Sequence, residues 1–358
     1  MLEIMLERQG DAAILFMAGL AVGALFGVAA RYSRFCLRAA TIELGGGRIG
    51  PRMIVWLIAF SSAVAATQGA IALGLVDLSA ARQLAATGSL SGAVIGGGLF
   101  GAGMILARGC VSRLLVLSAG GNLRAIVTGL VVAIAAQASL RGVLSPAREW
   151  LAGLWLVAGG EGRDLGSMVG AGPGIAASLA LLALGVAMAM GLRMHAGGAG
   201  RILASAGVGL AVALGWLATA FIAARSFDIV PITSVTFTGP SSDTLMALIN
   251  DRALPLTFAT GLVPGVVLGA FVVALISGEF RIERFGADTP LERYLVGAVL
   301  MGFGSMLAGG CAVGAAVSGG AVLSLTAWVA GASMWAGAIA AQLLLRGLAA
   351  RGLAAGAI

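Results

Sequence analysis

The chain has no lysine, one histidine and three cysteines, and only 10% of its 358 residues are charged. Each shortage excludes something. Cys36, Cys110 and Cys311 form no C-x-x-C pair, and even with His195 they do not have the ligand spacings of a structural zinc site. No metal, cofactor or catalytic residue is therefore expected. A quinone-linked enzyme that forms disulfides would also want cysteines paired close in sequence. No Asp, Glu or Lys stands in the middle of an apolar run, where ion-coupled sites and proton relays are marked. A Walker A motif is missing, so ATP hydrolysis by the chain itself is not expected. The N-terminal MLEIMLERQGD lacks the positive n-region of a cleavable signal, and the first apolar segment is expected to stay as a helix.

Apolar residues dominate what remains. They make up 59% of the chain, and its mean hydropathy is +1.04. A soluble domain of this length could not hide that much apolar surface, so lipid must be the main solvent. The expected fold is all-α, a polytopic membrane protein with helices near 12–30, 53–75, 92–109, 123–141, 173–192, 202–223, 257–277, 293–310 and 320–345. The 57 glycines suit close helix–helix approach in a bilayer. The net charge of +7 comes from arginines in loops and at helix ends, which reads as membrane topology and not as nucleic-acid binding. Arg31, Arg34, Arg38, Arg48 and Arg52 cluster in one loop, Arg281, Arg284 and Arg293 in another, and Arg108, Arg113 and Arg124 at a turn. The 76–91 loop has only Arg82. With nine passes the counts place the N-terminus outside and the C-terminus inside. His195, in a loop between Arg193 and Arg201, is expected to be solvated.

One pattern occurs twice. Residues 96–110 read GGGLFGAGMILARGC and residues 297–311 read GAVLMGFGSMLAGGC. Gly19-Leu20-Ala21-Val22 is matched by Gly209-Leu210-Ala211-Val212, and Ala133–Gln137 by Ala338–Gln342. The first four helices thus match the last four in order, with one connector between them. An odd connector inverts the second half. The expected organisation is a first repeat over 1–142, a connector with a linking helix over 143–200 and a second repeat over 201–358. Two inverted repeats of four helices would place a site near the midplane, built from broken helices that end at the Gly-Cys turns. Short helices are expected after those turns, near 111–119 and 312–319.

Gly109 and Gly310, just before the paired cysteines, let the backbone leave helical geometry and approach a ligand. A helix starting after the turn would aim free N–H groups at an anion. Arg108 and Arg113 add positive charge beside Cys110. A neutral thiol can donate S–H to an anion, whereas a thiolate would repel it. A lone cysteine in a membrane helix is also a small apolar filler. Cys110 and Cys311, matched across the repeat, read as ligands; Cys36, with Asp228 near its repeat position, stays open between the two. Gln137 and Gln342 read as interhelical hydrogen-bonding residues.

The Gly-x-Gly-x5-Gly-Cys elements ending at Cys110 and Cys311, with the earlier Ser33-Arg34-Phe35-Cys36, resemble the YeeE/YedE sulfur-transport family over nearly the whole length. That resemblance implies a multi-pass protein of the bacterial inner membrane that takes up thiosulfate or a related sulfur-containing anion. It implies Cys36, Cys110 and Cys311 as a relay of thiols, with a cytoplasmic TusA-like sulfurtransferase as partner. The expected route runs from outside to Cys110, steered by Arg108, then between the two Gly-Cys turns, with Cys36 last. A transporter of a selenium compound, a membrane enzyme working through a cysteine persulfide, and a sensor that binds without transport are the alternatives.

Overall fold

The computed structural model describes residues 10–194, 197–284 and 291–350; His195 and the segment before Gly10 lie outside the described residues. Among the described residues, nine helices are long and apolar enough to cross a membrane. In chain order, α1 (Asp11–Ser33) is followed by the short α2 (Leu37–Gly45), then α3 (Pro51–Ala72). Next, α4 (Leu90–Leu106) breaks into α5 (Val111–Ser118), and α6 (Leu123–Arg141) leads to a surface helix, α7 (Ser145–Gly153). The connector α8 (Pro173–Arg193) precedes α9 (Gly198–Ala223), α10 (Thr238–Asn250) and α11 (Phe258–Ile276). Finally, α12 (Leu291–Leu307) breaks into α13 (Ala312–Gly319, π-helical), and α14 (Leu325–Ala350) closes the described chain. The chain is an all-α, multi-pass membrane protein. The connector α8 exposes Leu179, Leu181, Leu182 and Val186, a face that only lipid can cover without cost.

The glycines set how close the helices come. An ideal Cβ on Gly19, Gly23 or Gly27 of α1 would fall 2.2–2.3 Å from a carbonyl oxygen of α11. Gly261, Gly265 and Gly269 return the same contact onto α1. The two broken helices, α4 and α12, also cross through glycines. Gly96 meets the Gly304 carbonyl, and Gly297 meets that of Gly103, at 2.6–2.7 Å from the ideal Cβ. Any side chain at these points would drive the backbones apart, and dispersion contact at that range is what holds helices together in lipid.

Two arginine-bearing faces close the bundle. Arg31, Arg34, Arg52, Arg113 and Arg281 come together at one end. Arg82, Arg148 and Arg163 meet at the other, beside the two-residue ladder that pairs Gly88–Ser89 with Leu156–Val157. Sequence pattern missed α7, α10 and this ladder, all of which lie in the stretches read as loops.

Candidate functional site

All three cysteines occupy the same local position. Each follows a turn whose residue two places earlier is left-handed: Arg34 at φ 57°, Arg108 at φ 56° and Gly309 at φ 79°. For a non-glycine residue this conformation costs on the order of 1 kcal/mol. Among the described residues only Arg34, Arg108 and Leu323 adopt it without being glycine. Each cysteine is then extended and caps the next helix, Cys36 for α2, Cys110 for α5 and Cys311 for α13. The Cys311 sulfur accepts the Gly314 N–H at 3.4 Å, the bond a serine would make at such a cap. That leaves the Cys311 proton free to be donated.

The partners of the three thiols differ. Cys36 and Cys110 are neighbours, although they arrive on different helices. The Cys110 thiol also lies 3.3 Å from the Ser112 hydroxyl. Both cysteines are unoxidised; Cys36 is half-buried and Cys110 buried. Cys311 is 1% exposed. Its neighbour is the Thr236 hydroxyl at 3.9 Å, on an irregular segment, 233–237, that leads from the turn after α9 into the interior. Ser234 and Ser318 tie that segment down, donating to the Val212 and Val235 carbonyls at 2.6 Å. Thr236 sits 75 residues from Cys311 in a polar stretch without periodicity, and no sequence signal pointed to it.

Two cavities approach the thiols from opposite faces. A cavity of about 330 Å³ has Gly309, Gly314 and Ala315, the turn around Cys311, among its lining. Arg82, Arg148 and Arg163 line it together with Ser324 and Thr326, and among the described residues no acidic side chain does. Arg163 is 6% exposed. Its guanidinium donates to the Ala86 carbonyl and the Thr326 hydroxyl, and its Nε has no partner. Burial pushes the Arg163 guanidinium below its ordinary pKa, and the neighbouring Arg82 pushes the same way, so this cavity favours an anion. Gly88 makes room for that guanidinium, since an ideal Cβ there would fall 2.6 Å from Cζ.

The second cavity, about 510 Å³, is lined by Arg31, Arg34, Arg52, Arg113 and Arg281 with Glu279 and Glu283. Glu279 bridges Arg31 and Arg34 at 3.2 Å each. Arg113 borders Cys110 in sequence, and Arg34 lies two residues before Cys36. Arg38, Arg108 and Arg293 are near enough to repel one another, and Arg38 is also beside Cys36.

The six residues singled out from sequence are therefore distributed over two places. Cys36, Cys110, Arg108 and Gly109 gather toward the face with more arginines; Gly310 and Cys311 lie toward the other. Gly310 is sterically required, because its ideal Cβ would fall 2.8 Å from the Ala315 nitrogen, whereas Gly109 meets only side-chain atoms at 3.5 Å and beyond. α4 runs from the turn at Ser89 to Leu106 and brings Cys110 beside Cys36. Gln342 reaches the Ile42 carbonyl at 3.4 Å and Gln137 accepts from Ser242 at 3.0 Å, both between helices.

Over 330 residues the chain is 26% identical to the thiosulfate transporter TsuA of Spirochaeta thermophila, covering 88% of this chain and 94% of that protein. It is 35% identical over 92 residues to TsuA of Escherichia coli (strain K12), covering 26% of each. A model of the family described as "Sulphur transport" matches residues 32–340, and the chain belongs to that family of sulphur transport proteins.

Proposed function

We propose that this chain takes up thiosulfate, or a closely related sulfur-containing anion, across the bacterial inner membrane along a path lined by its three cysteines. The observation that carries this reading is the threefold repetition of one device, a cysteine at the N-cap position of a helix that follows a left-handed turn, between two arginine-lined cavities. Arginines at each mouth concentrate an anion. The helix N-terminus supplies partial positive charge at each cysteine, and the neutral thiol offers S–H. Such contacts are weak enough to release the ion to the next site, which conduction requires. The proposed order is Cys311 first, beneath the cavity of Arg163, then the Cys36–Cys110 pair, then the cavity of Arg31 and Arg113. A cytoplasmic TusA-like acceptor would take the ion from that last cavity.

The helix pairings support the division into repeats over 1–142 and 201–358, with 143–200 between. The α1–α11 pairing corresponds to α9–α3, and α4–α14 to α12–α6, while α4–α12 and α1–α9 each map onto themselves. Glycines follow the same exchange: Gly19 packs on α11 and its counterpart Gly209 on α3, while Gly101 packs on α14 and its counterpart Gly302 on α6. A pseudo-two-fold axis between the halves would bring the two Gly-Cys turns to opposite sides of the midplane.

Uptake of labelled thiosulfate into proteoliposomes tests the reading. Uptake by the wild-type protein, lost in a folded Cys110→Ala variant, is the expected result. Wild-type rates in both Cys110→Ala and Cys311→Ala would overturn the thiol path.

A further inference from the structure

We propose that the headgroup of an anionic phospholipid binds between α1, α9 and α11 on the face with more arginines, held by Arg201, Arg34 and the N-terminus of α9. A cavity of about 190 Å³ lies there, beside the 510 Å³ cavity, with which it shares Arg31, Arg34 and Glu279. Arg31, Tyr32, Arg34, Arg201, Ser277 and Glu279 line it, three cations against one carboxylate. Glu279 is already shared by Arg31 and Arg34, so it leaves the Arg201 charge without an acidic partner among the described residues. The Arg31 side chain is 9% exposed, and its Nε makes no hydrogen bond.

The start of α9 adds to this. It is 26 residues long, and its N-cap residue is Gly197, which has no side chain to cap its first N–H groups. Gly197 before it is left-handed at φ 101°, and an ideal Cβ there would fall 2.4 Å from the Arg201 guanidinium. Arg201 therefore folds back over its own helix start, and its guanidinium sits with the free N–H groups. Such a helix end attracts phosphate.

The surroundings select a lipid over a free ion. Tyr32, 54% exposed, borders the cavity. One and two turns before it on the same face of α1 stand Val28 and Leu25, exposed by 40% and 38%. Val273 lines the cavity from α11, and Ile276 beside it is 83% exposed. An acyl chain can lie along this strip below a bound phosphate, and tyrosine at such a level is a common interfacial anchor. Basic pockets between membrane helices bind anionic headgroups by the same chemistry. The site touches the transport path through Arg34, the left-handed residue that sets the turn into Cys36.

The test is native mass spectrometry of the full chain in detergent with dioctanoyl phosphatidylglycerol, dioctanoyl phosphatidylcholine or glycerol 1-phosphate. The wild-type protein should retain the phosphatidylglycerol in preference to the phosphatidylcholine and should not retain glycerol 1-phosphate. Arg201→Gln should weaken phosphatidylglycerol binding about fivefold, the effect of one basic residue at a membrane surface, and leave phosphatidylcholine unchanged. Arg201→Lys, which keeps the charge, should retain most of the preference and shows that loss in Arg201→Gln is not misfolding. Equal retention of the two lipids, an unchanged preference in Arg201→Gln, or equal binding of glycerol 1-phosphate would each overturn the proposal.

Discussion

Gly314 gives the sharpest test of how Cys311 is held. An ideal Cβ at Gly314 would fall 2.1 Å from the Thr236 hydroxyl and 2.7 Å from the Thr236 Cβ. Moving that hydroxyl from 2.1 Å out to ordinary contact at 3.4 Å needs a shift of about 1.3 Å. The segment cannot yield freely, because Ser234 and Ser318 pin the two residues just before Thr236 at 2.6 Å each. Overpacking of this kind costs about 1–3 kcal/mol. Gly314→Ala should therefore destabilise the protein by that amount and disturb the Gly314 N–H bond to the Cys311 sulfur, lowering uptake. The cause is one side chain, so Thr236→Gly should relieve it: the nearest remaining atom is then the Thr236 Cα, at 3.4 Å. In that background Gly314→Ala should cost less than about 1 kcal/mol, a coupling of the size seen between touching residues. Gly185→Ala is the control, since nothing lies within 4 Å of its Cβ position. There alanine should be neutral or stabilise α8 by up to about 1 kcal/mol. Denaturant titration of the detergent-purified variants measures all four. An equal cost for Gly314→Ala with and without Thr236, or no cost at all, would refute the placement of the 233–237 segment against Cys311.

Three further outcomes follow from the site. A hydrogen bond to a charged group contributes about 1.5–3 kcal/mol, so Cys311→Ala should cut thiosulfate uptake at least about tenfold. Cys311→Ser keeps the helix cap and puts an O–H donor in place of S–H, so it should restore stability and much of the rate; uptake no better than in Cys311→Ala would show that donation to the anion is not what Cys311 supplies. Mild oxidation with copper phenanthroline should join Cys36 to Cys110, seen by peptide mass mapping, and abolish uptake. A major product linking either one to Cys311 would contradict the observed grouping. Arg163→Gln should raise the KM for thiosulfate about tenfold with a smaller effect on maximal rate; an unchanged KM would remove Arg163 from the path.

Much of this protein follows from sequence alone, for reasons that act locally. Twenty apolar residues must be a helix in lipid, because no other single segment satisfies its own backbone there, and nine spans emerge where the apolar runs predict them. Breaks before Cys110 and Cys311 are legible for the same reason: glycine at the turn and a fresh apolar run after it give α5 and α13 close to their expected bounds. What acts across the chain was not legible. Nothing in Ser33-Arg34-Phe35-Cys36 says that its cysteine caps a third helix, or that its thiol meets that of Cys110. Thr236 reaches Cys311 only because a polar segment, satisfied by Ser234 and Ser318, runs inward beside α9. Arg163 faces the Cys311 turn only because Gly88 leaves room for its guanidinium and the Thr326 hydroxyl accepts its hydrogen bond. Hydropathy and turn chemistry are properties of neighbours in the chain, and they determined the helices and their breaks. Which thiol faces which partner depends on how closely glycine-lined helices cross, and only the tertiary structure decided that.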